Sequence, residues 1–312
     1  MKVLFIDSTN KALVEILENY NFECFYMPDI SEESIRKTIH SYDGVITRSK
    51  ITFDKELIDK AHKLRFIGRV GAGMENINVE YADSKGIMCL NAPEGNRDAV
   101  GEHAVAMLLN LFNNLCRANM QVKNGIWKRE ANRGTEIGGK TIGIIGYGNT
   151  GSSFARKICG FGAQILSYDK YKINYEDGFT EETTLERIFE ETDILSLHVP
   201  LTEETTYMVN EQFLNKFRKS IYLINTSRGK VVKTDDLARS MQIGKVLGAA
   251  LDVLEYEKTS FEKLHFGDMP ESMQYLIDSD SVILSPHIAG WTFESDYKLA
   301  KVLADKIVKA FA

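Results

Sequence analysis

Short runs of β-branched and aliphatic residues alternate with amphipathic stretches along nearly the whole chain. Val3–Ile6, Val45–Thr47, Phe66–Ile67 and Ile87–Leu90 read as strands, with helical patterns such as Ala12–Asn19 and Lys55–His62 between them. A loop holding Pro93 and Gly95 leads into one long helical stretch, about Asp98 to Val122. The alternation then restarts at Thr141–Ile145 and continues through Gln164–Tyr168, Ile194–Val199, Ile221–Asn225, Val246–Ala250 and Val282–Leu284. The last stretch, Phe293–Phe311, places Leu299, Val302, Leu303, Ile307 and Val308 at helical spacing. Such alternation predicts right-handed βαβ units and parallel sheets. The fold class expected is α/β, with two doubly wound, Rossmann-like parallel-sheet domains joined by long hinge helices. Residues 1–97 with 291–312 form one domain in this reading, and residues 98–290 the other.

Composition narrows the class. A chain of 312 residues exceeds one ordinary core. With 44% hydrophobic and 26% charged residues it has the make-up of a globular protein rather than a disordered one. The net charge of -6 and the lack of a Lys/Arg run exclude a nucleic-acid partner. No apolar run approaches the ~20 residues of a membrane span, and Met1–Asp7 reads as a strand rather than a signal peptide, so no membrane contact and a cytoplasmic location are expected. Cys24, Cys89, Cys116 and Cys159 are scattered without a C-x-x-C pair, which suits reduced thiols and no metal. In an acidic chain, any anionic ligand must rely on particular arginines.

The strand Ile142–Ile145 runs into Gly146-Tyr147-Gly148-Asn149-Thr150-Gly151, followed by the helix-like Ser152–Cys159. The G-x-G-x-x-G motif means little alone, but here a strand precedes it, a helix follows it and an acidic residue lies at the right distance. Gly146 is read as the tight turn, Gly148 as the point of backbone approach to a pyrophosphate, and Gly151 as the close helix–strand contact. Asn149 and Thr150 complete the turn, whose helix N-terminus holds the anion. Asp169 ends the next strand, 18 residues beyond Gly151. Its carboxylate suits a ribose diol and repels a 2′-phosphate, so the cofactor is read as NAD, with Lys170 as the opposing feature. Residues 98–290 are then the NAD-binding domain, and residues 1–97 with 291–312 the substrate-binding domain.

Hydride chemistry at a secondary alcohol asks for three more groups. These are a cation on the carboxylate and carbonyl, a histidine to exchange the hydroxyl proton, and a carboxylate to orient it. Three segments after apolar strands supply them: Asn225-Thr226-Ser227-Arg228-Gly229, Leu251-Asp252-Val253-Leu254-Glu255-Tyr256-Glu257, and Ser285-Pro286-His287-Ile288-Ala289-Gly290. Open α/β sheets place ligand sites at such strand ends.

Taken in order, the fingerprint, the Arg-Gly, the Asp-Val with its following Glu, and the Pro-His before Ala-Gly resemble the D-isomer-specific 2-hydroxyacid dehydrogenase family. The resemblance covers essentially the whole chain. It implies an oxidoreductase that moves a hydride between NAD and C2 of a small anionic 2-hydroxy or 2-keto acid. By that likeness Arg228 clamps the carboxylate and carbonyl, His287 is the proton donor–acceptor, and Glu257 is its partner. Glu255 competes for the last role; the offset from Asp252 favours Glu257. The likeness also puts Thr226, Arg228, Asp252, His287 and the Val199 segment beside the nicotinamide half. It further implies a homodimer built on the NAD-binding domains, partly through the Asp98–Val122 helix. Among the other histidines, His40, His62 and His265 read as surface positions, His103 as a helix contact, and His198 as a structural neighbour of the site.

The first domain carries Gly68-Arg69-Val70-Gly71-Ala72-Gly73-Met74-Glu75-Asn76 after a strand. Successive small residues are expected to leave amides open to a carboxylate, and the family would use Gly71, Ala72 and Gly73 for the substrate's. Arg48 and Arg69 match arginines of phosphoglycerate dehydrogenases, where paired guanidinium groups help hold the substrate phosphate. The resemblance therefore points to 3-phosphoglycerate oxidation in serine biosynthesis. A hydroxypyruvate or glyoxylate reductase is the alternative within the enzyme class, and a non-catalytic, NAD-sensing corepressor-like protein the alternative outside it. Two departures stand out. The sequence ends just after its final helix, without the regulatory domain of serine-controlled phosphoglycerate dehydrogenases. The segment Lys258–Asp280 is longer than in the commonest members, and its Phe261, Leu264, Phe266, Met269, Met273, Tyr275 and Leu276 suit a lid, a dimer contact or a helix covering the sheet.

Overall fold

The computed structural model describes residues 1–175, 177–257 and 269–312. The chain divides into two compact units, residues 1–97 with 291–312 and residues 98–290.

The first unit runs β1 (Lys2–Phe5), α1 (Lys11–Asn19), β2 (Glu23–Tyr26), α2 (Glu32–Thr38), β3 (Gly44–Thr47), α3 (Lys55–Lys60), β4 (Phe66–Arg69), α4 (Val79–Ser84) and β5 (Met88–Leu90). Its sheet is parallel throughout, in the order β2-β1-β3-β4-β5. Alternate residues of a strand face opposite sides, and the core divides accordingly. Leu4, Val45 and Ile67 meet Ile35, Leu57 and Ile58 of α2 and α3 on one face, while Val3, Phe5, Ile46 and Phe66 meet α1 on the other. The hydrophobic pattern did not reveal β2, an edge strand of only four residues that is partly or wholly exposed along its length.

The second unit opens with α5 (Arg97–Asn113) and α6 (Leu115–Lys123). The single helix expected over Asp98–Val122 is thus two helices. The break falls at Asn114, which takes a left-handed conformation with φ 53°, a geometry asparagine tolerates better than most residues. There follow β6 (Thr141–Ile145), α7 (Asn149–Ile158), β7 (Gln164–Tyr168), β8 (Glu181–Glu182), α8 (Leu185–Glu191), β9 (Ile194–Leu197), α9 (Glu211–Asn215), β10 (Ile221–Asn225), α10 (Thr234–Gln242), β11 (Val246–Leu251), α11 (Glu271–Asp278) and β12 (Val282–Leu284). These strands form one parallel sheet in the order β12-β11-β10-β9-β6-β7-β8. Helices α5 and α7 cover one face, and α8 to α11 the other. Of the apolar segment Lys258–Asp280, the positions Phe261, Leu264 and Phe266, like His265, lie outside the described residues. The remainder packs as a helix on the sheet: Met273 and Leu276 are buried, with Met269 and Tyr275 against the same cluster.

The final helix, α12 (Phe293–Phe311), returns to the first unit. Thr292 and Ser295 form a reciprocal capping box at its start. Leu299, Ala300, Leu303, Ala304 and Ile307 bury a stripe against the face that holds Val3 and Phe5, and Phe311 stacks on Phe66 at 5.0 Å. Among the described residues no helix is long and apolar enough to cross a membrane, and no cluster of metal-binding side chains occurs.

Candidate active site

In the second unit the chain runs outward from β6 to β7 and β8, then returns to the other side of β6 as β9. A crevice at the carboxyl ends of β6 and β9 follows from that reversal, and doubly wound sheets bind ligands there. The three glycines of the turn after β6 face three different surroundings. Gly146 has φ +92°, and a Cβ there would lie 2.7 Å from the carbonyl oxygen of His198. A Cβ on Gly151 would lie 2.1 Å from the carbonyl oxygen of Gly146, so only glycine lets α7 approach the strand so closely. A Cβ on Gly148 would meet nothing within 4 Å. Packing does not require that glycine, but a ligand lying against the backbone would. Asn149 and Thr150 are the first residues of α7, whose N-terminus is positively polarised.

His198 underlies this turn. Its Nδ1 lies 3.2 Å from Thr150 Oγ1, and its Nε2 lies 2.8 Å from Ser196 Oγ. Burial pushes its pKa down to about 3, so it stands neutral between two hydroxyls. The neighbouring Val199 approaches Gly146. Asp169, just past β7, accepts the Tyr147 amide at 2.8 Å on one oxygen and the Tyr171 and Lys172 amides at 2.9 and 3.1 Å on the other. Its carboxylate is thereby fixed beside the glycine turn. Lys170, which argued for a 2′-phosphate, pairs instead with Glu204.

Three further strand ends carry the remaining groups. After β10, buried Asn225 organises its own turn: Oδ1 accepts the amide and hydroxyl of Ser227 at 3.0 and 2.7 Å, and Nδ2 donates to the Arg228 carbonyl at 3.0 Å. Arg228 Nη1 donates to the Ser227 carbonyl at 2.7 Å. Gly229 is needed because a Cβ would fall 1.9 Å from the Leu254 carbonyl oxygen. Thr226 Oγ1 is buried with no hydrogen-bond partner among the described residues. An orphaned hydroxyl is costly unless something absent satisfies it, and a polar ligand edge would.

After β11, the two glutamates part company. Glu257 Oε2 lies 2.7 Å from His287 Nδ1, while its other oxygen accepts the Leu254 amide. Glu255 accepts the Thr234 amide at 2.9 Å and serves the start of α10 instead. His287 itself has φ +57°, unusual for a side chain with a Cβ. Asp252, fully buried, holds that turn: its carbonyl accepts the His287 amide at 2.8 Å, and its carboxylate accepts the Ile288 and Ala289 amides at 2.9 and 2.8 Å and the Ser285 hydroxyl at 2.6 Å. Burial pushes the Asp252 carboxyl up, but these bonds and nearby His103 outweigh it and hold the group below the ordinary aspartate range. Ser285 and His103 had no signal of their own in the sequence; a serine beside Pro-His and a histidine on a helix are both ordinary.

In the first unit, Arg48 follows β3 and Arg69 ends β4. Arg69 Nε donates to the Arg48 carbonyl at 3.1 Å, and its guanidinium lies where a Cβ on Gly71 would be. Arg48 forms an ion pair with Asp296 of α12 and stacks over Trp291 at 5.0 Å. The loop expected to present successive open amides does so only in part. The Gly71 amide turns inward to the Arg69 carbonyl at 2.9 Å because the backbone folds sharply there, leaving Ala72 and Gly73 as the candidates. Among the other histidines, His40 and His62 are exposed and stack on each other at 5.9 Å.

Residues 105–289 match the family described as D-isomer specific 2-hydroxyacid dehydrogenase, NAD binding domain. The chain is 32% identical over 303 residues to a hydroxypyruvate reductase of Thermotoga maritima, covering 97% of this chain and 96% of that protein. It is 31% identical over 310 residues to a D-3-phosphoglycerate dehydrogenase of Archaeoglobus fulgidus, covering 99% of this chain but 57% of that protein. Its fold superposes on the D-lactate dehydrogenase of Aquifex aeolicus, solved with NAD and lactic acid, with a TM-score of 0.82 and 30% identity, covering 100% of this chain and 95% of that one.

Proposed function

The chain belongs to the D-isomer-specific 2-hydroxyacid dehydrogenase family, and we propose that, as an NAD-dependent member, it interconverts 3-phosphoglycerate and 3-phosphohydroxypyruvate. The pair His287–Glu257, 2.7 Å apart, carries the chemistry in this reading. Glu257 holds the ring by Nδ1, so Nε2 is the atom that gives a proton to the carbonyl oxygen in reduction and takes the hydroxyl proton in oxidation. Arg228 clamps the substrate carboxylate and stabilises charge building on the carbonyl oxygen. The nicotinamide cofactor, when bound, would take up the hydride that leaves C2 in oxidation and return one to C2 in reduction. Gly146, Gly148, Asn149, Thr150 and Gly151 would hold its pyrophosphate, Asp169 its ribose, and Val199, Thr226 and Asp252 would border its nicotinamide half. The open space at Gly148 and the orphaned Thr226 hydroxyl suit that cofactor.

The single observation behind the phosphorylated substrate is the adjacency of Arg48 and Arg69, two guanidinium-bearing residues linked through the Arg48 carbonyl. Bidentate pairing with a dianion is what guanidinium groups do best. Ala72 and Gly73, with Gly71 behind them, would receive the substrate carboxylate. One observation favours a second reading: Asp296 already compensates Arg48, which suits an unphosphorylated keto acid and hence a hydroxypyruvate or glyoxylate reductase. NADH oxidation with 3-phosphohydroxypyruvate, hydroxypyruvate and glyoxylate separates the two. The first reading expects the highest kcat/KM on the phosphorylated acid; equal or better rates on the others support the second.

A homodimer through the second unit is part of the same proposal. Leu115, Met120 and Val122 on α6 and Ile126 and Trp127 just beyond it are exposed apolar side chains, with Trp127 77% exposed. A monomeric mass by sedimentation at micromolar concentration would contradict it.

A further inference from the structure

His287 sits in a conformation its backbone does not favour, so something must hold it there. A left-handed residue carrying a Cβ costs free energy that surrounding contacts must outweigh. In this protein the restraint is concentrated on one residue. The amides of His287, Ile288 and Ala289 all donate to Asp252, and the Ser285 hydroxyl donates to the same carboxylate at 2.6 Å. Behind Ser285 stands His103 of α5, with Nε2 3.0 Å from Ser285 Oγ and 3.5 Å from Asp252 Oδ1.

The proton count fixes the direction of these bonds. A serine hydroxyl has one proton, and Ser285 gives its proton to Asp252. Towards His103 it can therefore only accept, so His103 Nε2 must carry a hydrogen. That N–H stops the hydroxyl from rotating away, and the imidazole lies 3.5 Å from the same carboxylate oxygen. Without it, Ser285 can turn, one restraint on the carboxylate relaxes, and the turn bearing His287 has less to hold it away from a relaxed backbone conformation.

We propose that His103 is a positioning residue for His287, acting through the Ser285 hydroxyl and the Asp252 carboxylate. The inference rests on His287 being the proton donor–acceptor. It concerns the orientation of an imidazole already seated on Glu257, so it bears on turnover and not on cofactor affinity.

Four variants and one spectrum test it. His103→Leu keeps bulk and loses the donor, His103→Gln keeps an N–H donor, and Ser285→Ala removes the relay. The fourth is the double variant carrying both His103→Leu and Ser285→Ala. For keto-acid reduction, His103→Leu should lower kcat roughly three- to tenfold, the worth of one hydrogen bond. KM for the keto acid and the NADH Kd should not move. His103→Gln should stay within about twofold of the parent, and the double variant should be no slower than Ser285→Ala alone, since both act on one path. In the unmutated protein, nitrogen-15 spectra of labelled histidine should show His103 protonated at Nε2, a readout that survives even if a variant fails to fold. Parent-like kcat in His103→Leu, independent multiplicative losses in the double variant, or a neutral His103 protonated only at Nδ1 would each overturn the proposal. His287→Ala keeps the two failures apart. If it turns over like the parent, the proposed function itself falls; if it is inactive while His103→Leu is unimpaired, only the positioning role falls.

Discussion

The two sheets reverse strand order at equivalent places, yet what lies at their carboxyl ends differs in kind. In the first unit the reversal falls between β1 and β3, and Asp7 occupies it. One carboxylate oxygen there accepts the Thr47 hydroxyl at 3.0 Å and the amides of Arg48, Ser49 and Lys50 at 2.5, 3.2 and 3.3 Å. An internal anion has taken up the donors. In the second unit the reversal falls between β6 and β9, and the corresponding position is the glycine turn, with open space at Gly148 and a neutral His198 beneath it. Topology chooses the place. Whether the place can receive an anion depends on whether the chain has already put one there.

In the proposed function the second unit carries the acid–base pair His287–Glu257, and the first carries the arginines that would receive a phosphate. The largest effect should come from His287→Ala, which removes the proposed acid–base group and should cut kcat by roughly 10²–10⁴-fold while NADH binding persists. Arg228→Ala should damage kcat and KM together, because the clamp acts on both the ground and transition states. Turnover by His287→Ala at the parent rate would erase the distinction between the two edges.

Next in size are the arginines of the first unit. Arg48→Ala or Arg69→Ala should weaken kcat/KM for 3-phosphohydroxypyruvate by about 1.5–3 kcal/mol, roughly 10- to 150-fold. Glyoxylate reduction should change far less. Equal losses on both substrates would make these residues structural.

Asp169→Ala should raise the NAD KM roughly tenfold and relax discrimination against NADP, since acceptor and repulsion disappear together. Unchanged kinetics with both cofactors would remove Asp169 from the site.

The smallest effect is one of stability. His198 has a folded pKa of about 3, below the ~6.5 of an unfolded histidine. The unfolded chain therefore binds the proton first. Above about pH 6.5 the group makes no difference; as pH falls from there towards 3 stability is lost, by roughly 2 kcal/mol at pH 5. His198→Asn should reduce the shift in urea midpoint between about pH 7.5 and pH 5. An identical shift in both proteins would mean that His198 is not buried neutral.

Much of this was legible in the sequence, and the exceptions have physical causes. Central strands such as Val3–Ile6 and Thr141–Ile145 are buried on both faces, so their apolar runs stand out. The last helix was readable because its buried apolar stripe, from Leu299 to Ile307, recurs at helical spacing. The edge strand β2 and the two-residue β8 bury too little to leave a pattern. The break at Asn114 was hidden because both flanks continue the helical composition. At the site, glycine spacing and strand-end motifs carry local signals, and the offset from Asp252 singled out the glutamate that the structure places on His287. Asp7, His103 and Asp296 act on partners 41, 182 and 248 residues away. Folding alone brings such pairs together, and no local spacing encodes them.

The most direct test of the contrast between the two edges is NADH titration of Gly148→Ala, followed by cofactor fluorescence, beside a thermal melt. A Cβ at Gly148 meets no protein atom within 4 Å, so the melting temperature should match the parent's, whereas Gly151→Ala should melt lower because its Cβ strikes the Gly146 carbonyl. The NADH Kd of Gly148→Ala should rise roughly tenfold or more, because in the proposed site the added methyl would stand where the pyrophosphate meets the backbone. Parent-like NADH affinity in Gly148→Ala would contradict the account, for the open edge of the second sheet would then not be where the cofactor lies.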